Sequence, residues 1–172
     1  MSSSITLHPV TPDNASLTIP QVLRLIKALA TYERAPDAVE ATEELLKQSF
    51  FGDDQGRKYC EGVLAYEGGG PGEGTAVGMA VYFYTFSTWT GRGGLYLEDL
   101  FVEESHRGKG IAKLLFHYLG KVTQERNLPR MDWVVIDWNE PAKEVYRRMG
   151  AKHMSEWNLM RLTDEPLKKL AQ

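Results

Sequence analysis

One cysteine, Cys60, stands among 172 residues, so no intrachain disulfide can form. Disulfides belong to oxidising compartments, and a chain without them fits a reducing, cytoplasmic setting. Cys60 itself reads as a small buried hydrophobe. The four histidines, His8, His106, His117 and His153, are scattered and build no metal-ligand spacing with it, so no metal is expected. The longest apolar run, Val77 to Phe86, is far below the roughly 20 residues that a membrane helix needs. Met1 to Leu17 lacks the basic-then-apolar order of a secretory signal. There is no excess of basic charge either. The net charge is −3 and the pI about 5.8, which argues against a nucleic-acid binder. Repeats, linkers and low-complexity tracts are also missing.

What remains is a chain of globular composition, 42% hydrophobic and 25% charged. Its length fits one domain, residues 1–172, large enough to bury about 70% of its unfolded surface. Ile5 to His8 alternates as a strand, and Pro9 to Ser16 is turn-rich. Val22, Leu25, Ile26 and Leu29 recur at helical spacing, which predicts a helix from about Pro20 to Glu33. Thr42 is a cap for a short second helix. Strands are predicted over Lys58–Tyr66 and Val77–Phe86, divided by a loop, Gly68 to Gly74, with five glycines. Leu95–Val102 is the next strand. A helix over Gly110–Arg126 carries Ile111, Leu114, Leu115, Tyr118 and Val122 on one face. Met131–Trp138 is almost unbroken in apolar character, as in a central buried strand. Asn139 caps a helix reaching Met149, with Pro141 in its first turn and Gly150 at its end. Trp157–Leu162 reads as a last strand before a short helix. The fold class is α/β (α+β), with a mixed, mostly antiparallel central sheet flanked by helices.

The segment His106-Arg107-Gly108-Lys109-Gly110 joins the strand ending at Val102 to the helix that follows. A helix start exposes backbone N–H groups and a positive dipole end, and glycines let the backbone approach an anion closely. Arg107 and Lys109 add positive charge. The plain alternative is a glycine-rich strand-to-helix turn. It is not a P-loop, because Gly110 follows Lys109, nor a dinucleotide fingerprint, because position 113 is Lys113.

Arg107-x-x-Gly110-x-Ala112 fits the Arg/Gln-x-x-Gly-x-Gly/Ala motif of the GNAT acetyltransferases. Further stretches match in order: Arg24 to Glu33, Ser87 to Arg92, Leu95 to Asp99, Arg107 to Ile111, Asp137 to Pro141, and Val145 to Ala151. The chain thereby resembles the GNAT superfamily over nearly its whole length. The similarity is greatest to the diamine (spermidine/spermine) N1-acetyltransferases and the related thialysine N-epsilon-acetyltransferases. That resemblance implies the acyl-CoA N-acyltransferase fold and direct transfer of acetyl from acetyl-CoA to a primary amine. It implies that amides of Gly108, Lys109, Gly110, Ile111 and Ala112, with Arg107 and Lys113, hold the pyrophosphate. Leu100, Phe101 and Val102 would hold the pantetheine like an added strand. Asn139, Pro141, Ala142 and Tyr146 would meet the cofactor from the neighbouring strand and helix. A homodimer is also implied.

Acetyl transfer makes two proton demands. An alkylamine, with a reference pKa near 10.4, must lose a proton before it attacks, and the leaving thiolate must gain one. Alternation along the strand sets Tyr96, Glu98, Leu100 and Val102 on one side and Leu95, Leu97, Asp99 and Phe101 on the other. Carboxylates within an apolar strand are costly to bury. Glu98 is therefore the candidate base, which the resemblance supports, and Asp99 a companion. A structural ion-pair network is the alternative for both. The resemblance makes Tyr146 the acid, a residue that would otherwise read as a core-edge tyrosine beside apolar Val145 and Met149. It also sets Tyr32 and Glu33 around the amine. Trp89, Glu156 and Trp157 are further candidates, balanced against simple loop and strand packing. Ser87-Thr88-Trp89 replaces the Asp-Pro-Trp of the diamine enzymes and so loses a carboxylate. That favours a shorter amine or an amino-acid side chain over a long polyamine. The alternatives are a protein or peptide acetyltransferase and a coenzyme A-binding module without catalysis.

Overall fold

The computed structural model describes residues 4–171. Met1–Ser3 and Gln172, the ends of the span expected as one domain, lie outside the described residues. The chain forms two compact units, Met1–Val134 and Val135–Gln172.

The first unit is built on five strands in sequence order: β1 (Ile5–Pro9), β2 (Glu61–Glu67), β3 (Thr75–Ser87), β4 (Arg92–Val102) and β5 (Met131–Trp133). The first four pair antiparallel and β5 pairs parallel to β4, so the sheet is mixed and mostly antiparallel, as expected. Helices α1 (Ala15–Tyr32) and α2 (Glu43–Phe51) precede β2, and α3 (Ile111–Glu125) lies between β4 and β5. Each sheet face has its own core. On one face Ile111, Leu115, Leu119 and Val122 of α3 pack on Val63, Ala65, Ala80, Tyr82, Leu95 and Leu97. On the other, Ile19, Val22 and Leu25 of α1 and Phe50 of α2 pack on Leu64, Tyr66, Met79, Val81 and Phe101.

Several expectations are corrected. α1 begins five residues before Pro20, which sits inside the helix. The turn before it is organised by Asn14, whose Oδ1 accepts from the Thr11 amide at 2.9 Å. Leu114 is 41% exposed, and Leu119 fills the α3 core instead. At 100° per residue Leu114 falls about 60° off the line of Ile111, at the rim of the stripe. The predicted strand over Met131–Trp138 pairs only over Met131–Trp133. It is the outermost strand of the five, not a buried central one. Val134 beyond it is 55% exposed. An apolar run shows that a segment is apolar, but only a neighbour's ladder makes it a strand.

In the second unit α4 (Glu140–Arg148) forms behind the Asn139 cap with Pro141 in its first turn, and α5 (Asp164–Lys169) forms as the short last helix expected. The strand expected at Trp157–Leu162 does not form among the described residues. That segment makes no ladder, and Trp157, Leu159 and Met160 are all well exposed.

Candidate active site

The anion loop is built by two left-handed glycines. After Val102 a single helical turn, Glu104–His106, leads to Arg107. Gly108 has φ +76° and Gly110 φ +82°, and Gly110 is the N-cap of α3. A side chain at either would meet open space, so glycine is needed for conformation and not for room. No side chain caps α3. Its first amides are therefore presented outward, as an anion requires. Gly78 of β3 holds the helix start close: a Cβ there would lie 3.3 Å from Ile111 and 3.1 Å from the Phe101 carbonyl.

Side chains around the loop brace it. The Arg107 Nε donates to the Val102 carbonyl at 3.1 Å. Its guanidinium carbon lies 4.4 Å from the ring centre of Tyr32 and 5.8 Å from that of Phe101. Arg107 thus ties the loop to the end of α1, where Tyr32 and Glu33 stand. His106 escaped the sequence reading. Its Nε2 lies 3.1 Å from Glu67 Oε2, and its Nδ1 lies 2.9 Å from the Ser105 hydroxyl. Glu103 accepts from Arg24 at 2.5 Å, and Arg24 also donates to the Ala76 carbonyl. Lys109 and Lys113 are exposed.

β4 corrects the expected division of faces. Val81 pairs with Asp99 but Tyr82 pairs with Leu97, so Glu98 is an extra residue, a β-bulge. The bulge shifts the alternation by one. Leu95, Leu97, Leu100 and Val102 all join the α3 core, while Phe101 joins the α1/α2 core. The strand's two ends were expected to face oppositely; the extra residue is the reason they do not. The parallel ladder to β5 also stops here, its last pair being Leu97 with Trp133. From Glu98 to Val102 no β5 residue pairs with β4 among the described residues, and that stretch runs straight to the loop.

The two carboxylates differ. Glu98 is exposed and Asp99 half-buried. Burial pushes the Asp99 carboxyl up to about 6, helped by the negative charges of Glu98 and Glu33. Burial also raises Glu33. The desolvation argument made for Glu98 therefore falls on Asp99. Trp89, in the β3–β4 turn, is 87% exposed.

In the C-terminal unit the Asn139 side chain accepts from the Ala142 amide at 3.3 Å. Asn139, Ala142, Lys143 and Tyr146 are the half-buried stripe of α4, at the spacing of one helix face. Their apolar neighbours Val145 and Met149 are 44% and 43% exposed: Val145 lies off that stripe, and Met149 is the C-cap at the end of α4. Glu156 and Trp157 are exposed.

A recess of about 260 Å³ lined by Lys58, Tyr59, Cys60, Glu61, Phe83 and Tyr84 was not foreseen. Burial, then the charges of Glu61 and Glu98, push the Cys60 thiol up to about 11. No periodic signal marks this recess, since residues 58–60 precede β2, where the Tyr59 and Cys60 amides donate to the Ser49 carbonyl. Among the described residues no group of His, Cys, Asp and Glu could hold a metal, and no helix is long and apolar enough to cross a membrane.

A mixed sheet whose fourth strand loses its parallel neighbour midway, beside a glycine-built helix start and a pair of carboxylates, is the arrangement of an α/β group-transfer enzyme. Residues 22–151 match the model of the acetyltransferase (GNAT) family. The chain belongs to that family and is an N-acetyltransferase. It is 32% identical over 153 residues to the thialysine N-epsilon-acetyltransferase of Sus scrofa, covering 87% of this chain and 89% of that one. It is 34% identical over 155 residues to the spermidine/spermine N(1)-acetyltransferase-like protein 1 of Homo sapiens, covering 88% of this chain and 22% of that longer one. Among solved structures, an integron cassette protein from the mobile metagenome of V. cholerae superposes with a TM-score of 0.76 at 26% identity, covering 98% of each chain.

Proposed function

We propose that this protein, as a single acetyltransferase domain over residues 1–172, transfers the acetyl group of acetyl-CoA directly to a primary amine of a small molecule, in a ternary complex. The amine is that of a diamine or polyamine, thialysine, or a lysine-like amino acid. One observation carries this: the β4 edge from Glu98 to Val102, left by β5, joins a carboxylate pair to an outward-facing helix start. Backbone groups of Leu100, Phe101 and Val102 suit the amide-bearing pantetheine arm. The amides from Gly108 to Ala112 suit the pyrophosphate, and Arg107, Lys109 and Lys113 supply positive charge near it. Asn139, Pro141, Ala142 and Tyr146 complete the cofactor contacts in this reading.

The substrate ammonium is drawn by Glu33, Glu98 and Asp99, with the Tyr32 and Trp89 rings as apolar walls and Glu156 and Trp157 as further contacts. The proton leaves the ammonium for the Glu98–Asp99 pair. Asp99, held at about 6, is matched to accept near neutral pH, and exposed Glu98 passes the proton to water. The neutral amine then attacks the thioester carbonyl, the carbon–sulfur bond breaks, Tyr146 donates a proton to the departing thiolate, and the proton shed by the acylated nitrogen, relayed through water, restores the Tyr146 phenol. Family likeness supports a homodimer, and the single cysteine supports a cytoplasmic location.

The test is thiol release from acetyl-CoA with putrescine, spermidine, thialysine, lysine and a histone-tail peptide as acceptors. Release with a small amine and not the peptide is expected. Release with the peptide alone makes the protein a peptide acetyltransferase, and release with none overturns both the small-amine and the peptide readings.

A further inference from the structure

β3 runs on past the start of β2, and the recess of about 260 Å³ opens where β2 has not yet begun. Glu61, the first residue of β2, pairs with Tyr82. Cys60 therefore lies on the next row, that of Phe83. Phe83 pairs with Tyr96 and stacks on it, ring centres 4.9 Å apart, and Tyr96 is two residues from Glu98. Cys60 packs against the core on the α1/α2 face, which is also the face of Phe101. The charge of Glu98 reaches the Cys60 thiol. The Cys60–Phe83–Tyr96 row spans two strand spacings, roughly 10 Å, and Glu98 stands two residues, roughly 7 Å, further along β4.

The charges in the recess are unequal. Glu61 is committed: it accepts from the Tyr82 and Tyr84 hydroxyls at 3.1 and 3.0 Å and from Arg126 at 3.2 Å. Lys58 has no hydrogen-bond or ion-pair partner among the described residues. Tyr59, Phe83 and Tyr84 also line the recess. An available ammonium, an aromatic wall and, two strands over and further along β4, a carboxylate pair are complementary to a molecule with a carboxylate at one end, an aliphatic middle and an ammonium at the other. The volume is below the ~300–1,000 Å³ of pockets for drug-sized ligands and suits an amino acid. A diamine or polyamine would instead bring a second ammonium to Lys58, which like charge disfavours.

Resting on the amine acetyltransferase reading above, we propose that this recess is the acceptor's specificity site, and that Lys58 binds the α-carboxylate of an ω-amino α-amino acid whose terminal amine is acetylated. Glu98 and Asp99 receive one end of the substrate and Lys58 the other, while Tyr59 and Phe83 line its aliphatic chain.

The experiment compares kcat/KM for lysine with that for cadaverine, the same amine without the carboxylate, in the wild type, Lys58→Ala, Lys58→Arg and Lys58→Glu. Wild type should favour lysine. Lys58→Ala should lower the lysine-to-cadaverine ratio by roughly tenfold, the worth of one charged hydrogen bond, through KM for lysine and not kcat. Lys58→Arg should retain the ratio, and Lys58→Glu should reverse the preference. Lys58 is exposed, so the variants should fold, which acetyl-CoA binding verifies. Transfer to both amines with a ratio that no variant changes overturns the role of Lys58 and leaves the enzyme reading standing. No transfer to any amine overturns both.

Discussion

At the scale of single residues, Asp99 and Tyr146 carry the testable chemistry. Burial and the charges of Glu98 and Glu33 hold the Asp99 carboxyl at about 6 in the folded protein, against an ordinary value of 3.8. The folded state therefore binds more protons than the unfolded one between those values. Its stability falls as pH rises from about 4 to 6, and the cost persists at neutral pH. Asp99→Asn should raise unfolding free energy at pH 7 by about 1–3 kcal/mol, and urea titrations should show that gain vanish below pH 4. The same variant should flatten the acidic limb of the pH profile of kcat/KM for the amine, centred near 6 in the wild type. An unchanged profile would move the base elsewhere. Tyr146→Phe should lower thiol release by roughly 100-fold or more without raising KM for acetyl-CoA in proportion, since it removes a proton donor. Full activity in that variant would remove Tyr146 from the chemistry. The sequence showed both carboxylates, but their ranking needed burial, which a single strand's pattern does not contain.

At the scale of elements, the Gly108–Gly110 loop and the β4 bulge decide the site. Gly110→Ala places an L-residue in left-handed backbone, at a cost of about 1–2 kcal/mol. Calorimetry should show a lowered Tm, and KM for acetyl-CoA should rise several-fold more than KM for the amine. Equal effects on both would mean that the loop does not hold the cofactor. The loop was legible in the chain because glycine spacing and helix periodicity are local. The bulge was not. Nothing in Leu95-Tyr96-Leu97-Glu98-Asp99-Leu100 marks Glu98 as the extra residue, since a bulge is a relation between two strands. Reading one period through it assigned Leu100 and Val102 to the wrong face.

At the scale of the whole molecule, the C-terminal segment stands out. Trp157, Leu159 and Met160 are 67%, 70% and 86% exposed on a stretch that reads as a strand yet makes no ladder. Large exposed apolar groups of this kind mark contact surfaces. Sedimentation should give twice the 19.4 kDa chain mass, and Met160→Glu should shift that mass towards one chain. A monomeric wild type would sink the homodimer.

The sequence by itself determined the helices, the caps at Thr42 and Asn139, the glycine-built loop and the family, because each rests on contacts between residues close along the chain or on a motif of fixed spacing. Only the tertiary structure decided where β5 ends, which side of β4 each residue takes, that Asp99 rather than Glu98 is the desolvated carboxylate, and that Lys58 shares a recess with Phe83. Those depend on strand partners far apart in sequence, and partnership is settled when the sheet assembles.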